Sequence, residues 1–145
     1  MKTITLTLLT FVFLSSCQNK PSQKPKDIRY EQAQNYFVKN TVDSLSQPRI
    51  TTRVDFEKIF GPATTMGAEG KPTPINFAKQ AVIALVLPET QSAITLTPQS
   101  LQQQGDQLIL SYKKETGAQQ SFTTRPYLIL IIDKNITGEV RFIAE

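Results

Sequence analysis

The chain has 145 residues, with 16 Lys and Arg against 12 Asp and Glu, no histidine, no tryptophan and one cysteine. Without histidine, Ser-His-Asp and Cys-His catalysis as ordinarily built are excluded, and histidine zinc sites with them. The net charge of +4 is spread along the chain with no basic run interleaved with aromatics, which argues against a nucleic-acid partner. A single cysteine rules out a disulfide framework, so stability must come from packing.

Lys2 supplies a short positive start, and residues 4–14 are apolar or small hydroxyl types. That run has the length of a signal-peptide core and falls short of the roughly 20 residues a spanning helix needs. Leu14-Ser15-Ser16-Cys17 closes it and resembles the lipobox of bacterial lipoproteins. The resemblance implies that residues 1–16 are a lipoprotein signal peptide, that the Cys17 thiol receives diacylglycerol, and that the new amino terminus is acylated. Several acyl chains together give stable anchoring where one gives only marginal binding. The expected address is therefore the bacterial cell envelope, with the lipid on Cys17 as the membrane contact. The alternative is an ordinary secretory leader with a chance cysteine, which would leave an unpaired thiol in an oxidising compartment. Residues 17–31 read as the lipidated cysteine and a flexible tether, proline-broken, polar and without periodicity. Its lysines either are solvated or lie against anionic headgroups.

Residues 32–145 are predicted to form a single α+β domain, mainly an antiparallel sheet of about five to six strands with one short helix packed on it. Residues 35–40 are short and rich in β-formers, giving a first strand or a strand after one helical turn, and 41–47 are a polar connection. Thr51 or Thr52 caps a two-turn helix with Asp55 and Glu57 near its positive end, Phe56, Ile59 and Phe60 on its core face, and Gly61-Pro62 as its stop. Residues 61–76, with three glycines and three prolines, form a long loop, a kind usually either functional or disordered. Residues 80–87 are almost continuously apolar and read as a central strand buried on both faces, ended by Pro88. A strand over 93–103 follows, with Pro98 as a break or bulge. Gly105-Asp106 turns the chain into a strand over 107–114 that alternates through Leu108, Leu110 and Tyr112. Gly117 suggests another turn over 115–118, before an extended stretch over 119–124 around Phe122. A second apolar strand over 127–132, a turn over 133–139 with Gly138, and a closing strand over 140–144 complete the reading. Short turns between successive strands argue antiparallel pairing throughout.

The order of Asp55-Phe56-Glu57-Lys58-Ile59-Phe60-Gly61, then Ile75-Asn76-Phe77 leading into the 80–87 strand, then Arg125-Pro126-Tyr127-Leu128-Ile129 resembles small lipoproteins of Bacteroides-type bacteria. More distantly it is similar to the carboxy-terminal domain of PrcB, a protease-complex subunit. The resemblance implies an extracytoplasmic accessory domain that binds or stabilises a protease. It transfers no functional residue. Asp43-Ser44-Leu45 resembles the Asp-Ser/Thr-aliphatic sites where such bacteria attach O-glycans, which makes Ser44 a candidate acceptor, with plain loop as the alternative. Asn135-Ile136-Thr137 reads as a turn.

No catalytic residue, metal site or cofactor is expected. Gly67-Ala68-Glu69-Gly70-Lys71 sits in a proline-rich loop rather than between a strand and a helix, so it is not a phosphate cradle. Asp55, Glu57, Glu69 and Asp133 are scattered carboxylates, each with a local structural explanation. The candidate binding surface is the loop, at Thr64, Thr65, Met66, Gly67, Glu69 and Lys71. There Met66 is either an adaptable exposed contact or a residue folded back onto the sheet. The second candidate is Arg125 and Tyr127, where the arginine faces a partner or a neighbouring carboxylate. The functional expectation is a non-enzymatic binding module with an envelope protein as partner, a protease on the strength of the resemblance. A carboxylate enzyme acting on glycan or cell wall, and a passive structural envelope lipoprotein, are the alternatives.

The anchor is directly testable. Replacing Cys17 by Ala should abolish incorporation of labelled palmitate and move the chain from the detergent phase to the aqueous phase. A variant that stays membrane-bound would refute the lipid reading.

Overall fold

The computed structural model describes residues 24–64 and 70–145. Among them are ten strands and one helix. In chain order they are β1 (Lys26–Asp27), β2 (Glu31–Gln32), β3 (Tyr36–Val38), β4 (Arg49–Ile50), α1 (Arg53–Ile59), β5 (Phe60–Pro62), β6 (Gln80–Val86), β7 (Thr90–Gln104), β8 (Gln107–Thr124), β9 (Tyr127–Asp133) and β10 (Glu139–Ala144). There are two four-stranded sheets, ordered β1-β7-β8-β10 and β2-β9-β6-β4, and a separate two-stranded β3-β5 ribbon. The fold is mainly antiparallel β with one short helix, as expected. The strands are more numerous than the expected five to six and are divided among three sheets.

The β6–β9 pair explains the layering. Successive side chains of a strand point to opposite faces, so a run apolar at every position needs cover on both. On one face the cross-strand pairs Ala81↔Ile132, Ile83↔Leu130 and Leu85↔Leu128 pack against Leu101, Leu108, Leu110 and Tyr112 of the first sheet. On the other, Val82↔Ile131 and Ala84↔Ile129 pack against Ile50, Phe56, Phe60 and Ile75. Each fully buried Val, Leu or Ile contributes about 1.5–3 kcal/mol relative to exposure, so this central pair dominates the apolar driving force.

The second layer is built by α1 and its aromatic neighbours. Thr52 Oγ1 accepts from the Asp55 amide at 3.1 Å, closing the helix start. Phe56 then reaches Tyr36 edge-on at 5.1 Å between ring centroids, and also meets Phe60 at 5.0 Å and Phe77 at 5.6 Å. Such ring pairs add about 0.5–1.5 kcal/mol each beyond their area. The helix ends before Gly61-Pro62: Ile59 is its last residue, and Phe60, expected on its core face, is already extended as the first residue of β5, where Phe37 pairs with Gly61.

Four expectations need correction. Ordered structure begins inside the stretch expected to be tether: β1 pairs with β7, β2 pairs with β9, and Ile28 is buried in the main core with its amide bonded to the Leu101 carbonyl at 2.8 Å. One apolar residue among charged and polar neighbours carries no periodicity, so the sequence pattern could not mark it. Second, residues 115–118 are not a turn. β8 runs unbroken through them, and Gly117 lies against Ala93 of β7 rather than reversing the chain. Third, β10 pairs with β8 in parallel, from Glu139↔Gln107 to Ala144↔Tyr112. The chain crosses to the second sheet as β9 before returning, so the turn over 133–139 joins strands of different sheets and imposes no antiparallel pairing. Fourth, β7 begins at Thr90, earlier than expected, with a register shift at Pro98 where a bulge was anticipated.

Two glycines hold the turns. Gly105, at φ 59°, makes the tight β7–β8 reversal. Gly138, at φ 153°, brings its backbone so close to β8 that an added Cβ would stand 2.9 Å from the Asp106 carbonyl oxygen.

If β1 belongs to the domain, Ile28→Ala should lower unfolding free energy by about 2–3 kcal/mol in urea titration. A residue of a solvated tether would leave the midpoint unchanged.

Candidate functional site

The chain passes between the second sheet and the first at two adjacent corners. β6 leads through Pro88 into β7, and β8 leads through Arg125-Pro126 into β9. The corners are tied by the Leu87 amide donating to the Pro126 carbonyl at 2.8 Å. At this end the β7–β8 ladder is irregular. Its register steps from Thr90↔Thr124 to Ser92↔Gln119, so five residue steps on β8 answer two on β7. Extra residues on one strand bend a ribbon and leave part of its ladder unpaired.

Arg125 lies at the end of this bulge with its side chain only 13% exposed. Nη2 donates to Glu89 Oε1 at 2.8 Å and lies 3.8 Å from Asp43 Oδ1, a carboxylate that is 99% exposed. Nε and Nη1 are buried without a hydrogen-bond partner, and so is Oε1 of Gln120. Leaving a buried donor or acceptor unpaired costs about 1–3 kcal/mol, so three at one corner are a substantial local penalty. All three atoms belong to residues lining one open pocket of about 300 Å³, whose walls include Ala93, Ile94, Pro126 and Tyr127. Of the two meanings weighed for Arg125, the neighbouring carboxylate is present as Glu89, yet it satisfies only one nitrogen.

Tyr127 has a different role. Its hydroxyl donates to the Tyr36 carbonyl, and its ring packs at 5.9 Å from Phe60. Burial raises its pKa above the ordinary tyrosine value. It is chiefly a strut between β9 and β3.

Beyond the corner, β8 is solvated on both sides. Every residue over 113–119 is exposed, and Phe122 is 57% exposed on the same strand. β10 accompanies β8 only as far as Tyr112, so among the described residues no strand flanks the outer edge of β8 beyond that point.

The other candidates are placed as follows. Cys17, Thr65, Met66, Gly67 and Glu69 lie outside the described residues. Thr64 and Lys71 are exposed, and the returning limb of their loop is bonded to the β2–β3 segment. Asn35 Nδ2 donates to the Lys71 carbonyl at 2.9 Å, the Gln34 amide to Thr73 Oγ1 at 3.0 Å, and the Tyr36 hydroxyl to the Thr73 carbonyl at 2.7 Å. That limb wraps the core. Ser44 is exposed at a bend beside Asp43, while Leu45 packs on the second cluster. In the turn after β9, Asp133 accepts from the Asn135 amide at 2.8 Å, and Arg49 donates to the Lys134 and Ile136 carbonyls.

The carboxylates are engaged locally. Asp55 is bonded to Lys58 at 2.8 Å and to Thr52 at 2.7 Å, and those bonds, Lys58 first, hold its pKa below the ordinary value. Glu57 pairs with Arg53 at 3.7 Å. A larger pocket of about 350 Å³ beside α1 has Asp55 as the one carboxylate in its lining. Among the described residues no group of three or more Cys, Asp or Glu side chains is placed to hold a metal ion. No helix among them is long and apolar enough to cross a membrane.

No known protein family matches the chain, and neither a curated protein nor a solved structure matches it.

The sequence reading selected Arg125 and missed Gln120, Glu89 and Phe122. The usable signal was a pair of corners, Pro88-Glu89 and Arg125-Pro126, each abutting an apolar strand. Gln120 had none, because a bulge is invisible in a polar stretch.

Tyr127→Phe should cost about 1 kcal/mol by urea unfolding, since it orphans the Tyr36 carbonyl. Arg125→Met should stay within about 0.5 kcal/mol of the parent. It removes two unsatisfied donors and leaves Glu89, whose side chain is 53% exposed, open to water. A large loss for Arg125→Met would mark the arginine as a structural post.

Proposed function

We propose that this chain is a lipid-anchored module of the bacterial envelope that binds a protein partner rather than transforming a substrate. The observation that carries the reading is the solvated β7–β8 ribbon, with Phe122 exposed on it and incompletely satisfied polar groups at its base. Unsatisfied groups and exposed aromatics are unfavourable for folding alone, and a partner that covers them recovers the loss. Anchoring at Cys17 comes from the lipobox resemblance. The likeness to the PrcB carboxy-terminal domain makes an envelope protease the first partner to examine.

The carboxylate-enzyme alternative has less support. It needs two carboxyl groups facing each other across a cleft, whereas Asp55, Glu57 and Asp133 are each engaged in local structure. O-glycan on Ser44 is compatible with the module, since that residue is exposed and beside the corner rather than within its pocket.

Benzoylphenylalanine placed at position 122 and irradiated in intact cells should yield one discrete protein adduct. The same photoreactive group at Val54, which is 65% exposed on α1, should not. Absence of an adduct at 122, or the same adduct from both positions, would remove the ribbon as the binding surface. A protease in the adduct would support the finer reading.

A further inference from the structure

We infer that two copies of this chain exchange the tip of the β7–β8 ribbon, residues 100–112, so that each tip packs on the β6–β9 pair of the other copy. The exchange goes beyond the binding role and does not depend on it.

The central pairs of the two sheets are halves of one long ribbon. β6 and β9 keep a constant register from Gln80↔Asp133 to Val86↔Tyr127, and the Leu87 amide carries the pairing on to the Pro126 carbonyl at 2.8 Å. β7 and β8 resume it at Thr90↔Thr124. The ribbon reverses at Gly105, and Leu101, Leu108 and Leu110 near its tip lie back in one cluster with Ile83, Leu128 and Leu130 near its root. A ribbon that covers itself in this way must bend between root and tip. All three register shifts of the β7–β8 ladder fall between Thr90 and Ser100, opposite residues 111–124, and they mark the bend.

The bend has the properties of a hinge. Residues 113–119 and 121–123 are exposed, as are Thr95, Thr97 and Gln99, so straightening the strands there gives up little apolar burial. The closed bend is also where polar groups are worst satisfied. Nε and Nη1 of Arg125 and Oε1 of Gln120 are buried without a partner, beside a pocket walled by Ala93 and Ile94 of β7 and by Pro126 and Tyr127 at the β9 corner. Straightening draws these walls apart and admits water to the three atoms.

What then covers the root is fixed by the molecule itself. A root without its tip exposes Ile83, Leu128 and Leu130, and the surface already shaped to them is the tip of a second copy. β1 and β10 stay with the root, so their pairings with the tip, Asp27↔Gln102 and Glu139↔Gln107 to Ala144↔Tyr112, become contacts between copies. Exchange of an identical element keeps every contact except those at the hinge, so the hinge decides the balance. A closed hinge with unmet polar groups tilts it toward exchange.

The test combines sedimentation equilibrium of the intact chain in density-matched detergent micelles with a cysteine pair at positions 27 and 102. Those side chains touch, Gln102 Nε2 donating to Asp27 Oδ1 at 2.8 Å. Asp27→Cys with Gln102→Cys therefore oxidises within one chain in the closed monomer and between two chains in the exchanged dimer. Expected is a concentration-dependent dimer whose oxidised form runs as a covalent dimer on a non-reducing gel and as a monomer after reduction. Neither the parent nor either single cysteine variant should give that band. Arg125→Met takes the closed-off donors out of the bend and should lower the association constant about tenfold. A chain that stays monomeric at every concentration overturns the exchange, and so does a dimer whose cysteine pair closes only within each chain. An equally strong covalent dimer from a single variant marks a different contact and overturns it as well. An association constant for Arg125→Met equal to the parent's removes the bend as the hinge and overturns the inference.

Discussion

Both faces of the β6–β9 pair must be covered, and the rest of the molecule is arranged to meet that requirement. Val82 and Ile83 are neighbours in sequence, both fully buried, and they point into different clusters. One layer of cover cannot serve both. The first sheet closes over one side, while α1, β3, β5 and the returning limb of the 61–76 loop close over the other. A polar residue introduced at any of these central positions would enter an interior where unpaired groups are costly on either side.

The corner containing Arg125 is a consequence of the same demand. β6 and β9 are consecutive with β7 and β8, so the chain that forms the central pair must also leave it, bend, and return as the covering sheet. Proline stands at both bends, and the unequal strand lengths through the bulges carry the curvature. The strands cannot be fully paired and fully covered while they turn. The open ladder, the guanidinium with two unsatisfied nitrogens and the solvated outer stretch of β8 therefore belong to one geometric event. A molecule shaped for stability alone would fill such a corner with apolar side chains.

The parts legible in the sequence were those with a strong local cause. Thr52 and the Phe56 face identified the helix, and the unbroken apolar runs identified β6 as doubly buried and β9 as a second apolar strand. The parts that were not legible depend on distant partners. Ile28 looks like one apolar residue in a tether until Leu101 is beside it. Gly117 looks like a turn residue because a strand wet on both faces shows no alternation to contradict it. The parallel arrangement of β10 depends on which sheet β9 joins, a choice made by tertiary packing rather than by turn length. Arg125 could be selected because a charged residue beside proline at the mouth of an apolar strand is conspicuous. Its relation to Gln120 required the bulge.

β1 gives the domain a polarity. Lys26 and Asp27 pair with Gln103 and Gln102, next to the Gly105 reversal, whereas the Arg125 corner adjoins the opposite end of β7. The two ends are separated by roughly 40 Å of strand at 3.3 Å per residue. The chain thus enters at one pole and exposes its incompletely paired groups at the other. A force applied at Lys26 would draw on β1 first, across a two-residue pairing that opens like the end of a zip, and would reach the Arg125 corner last.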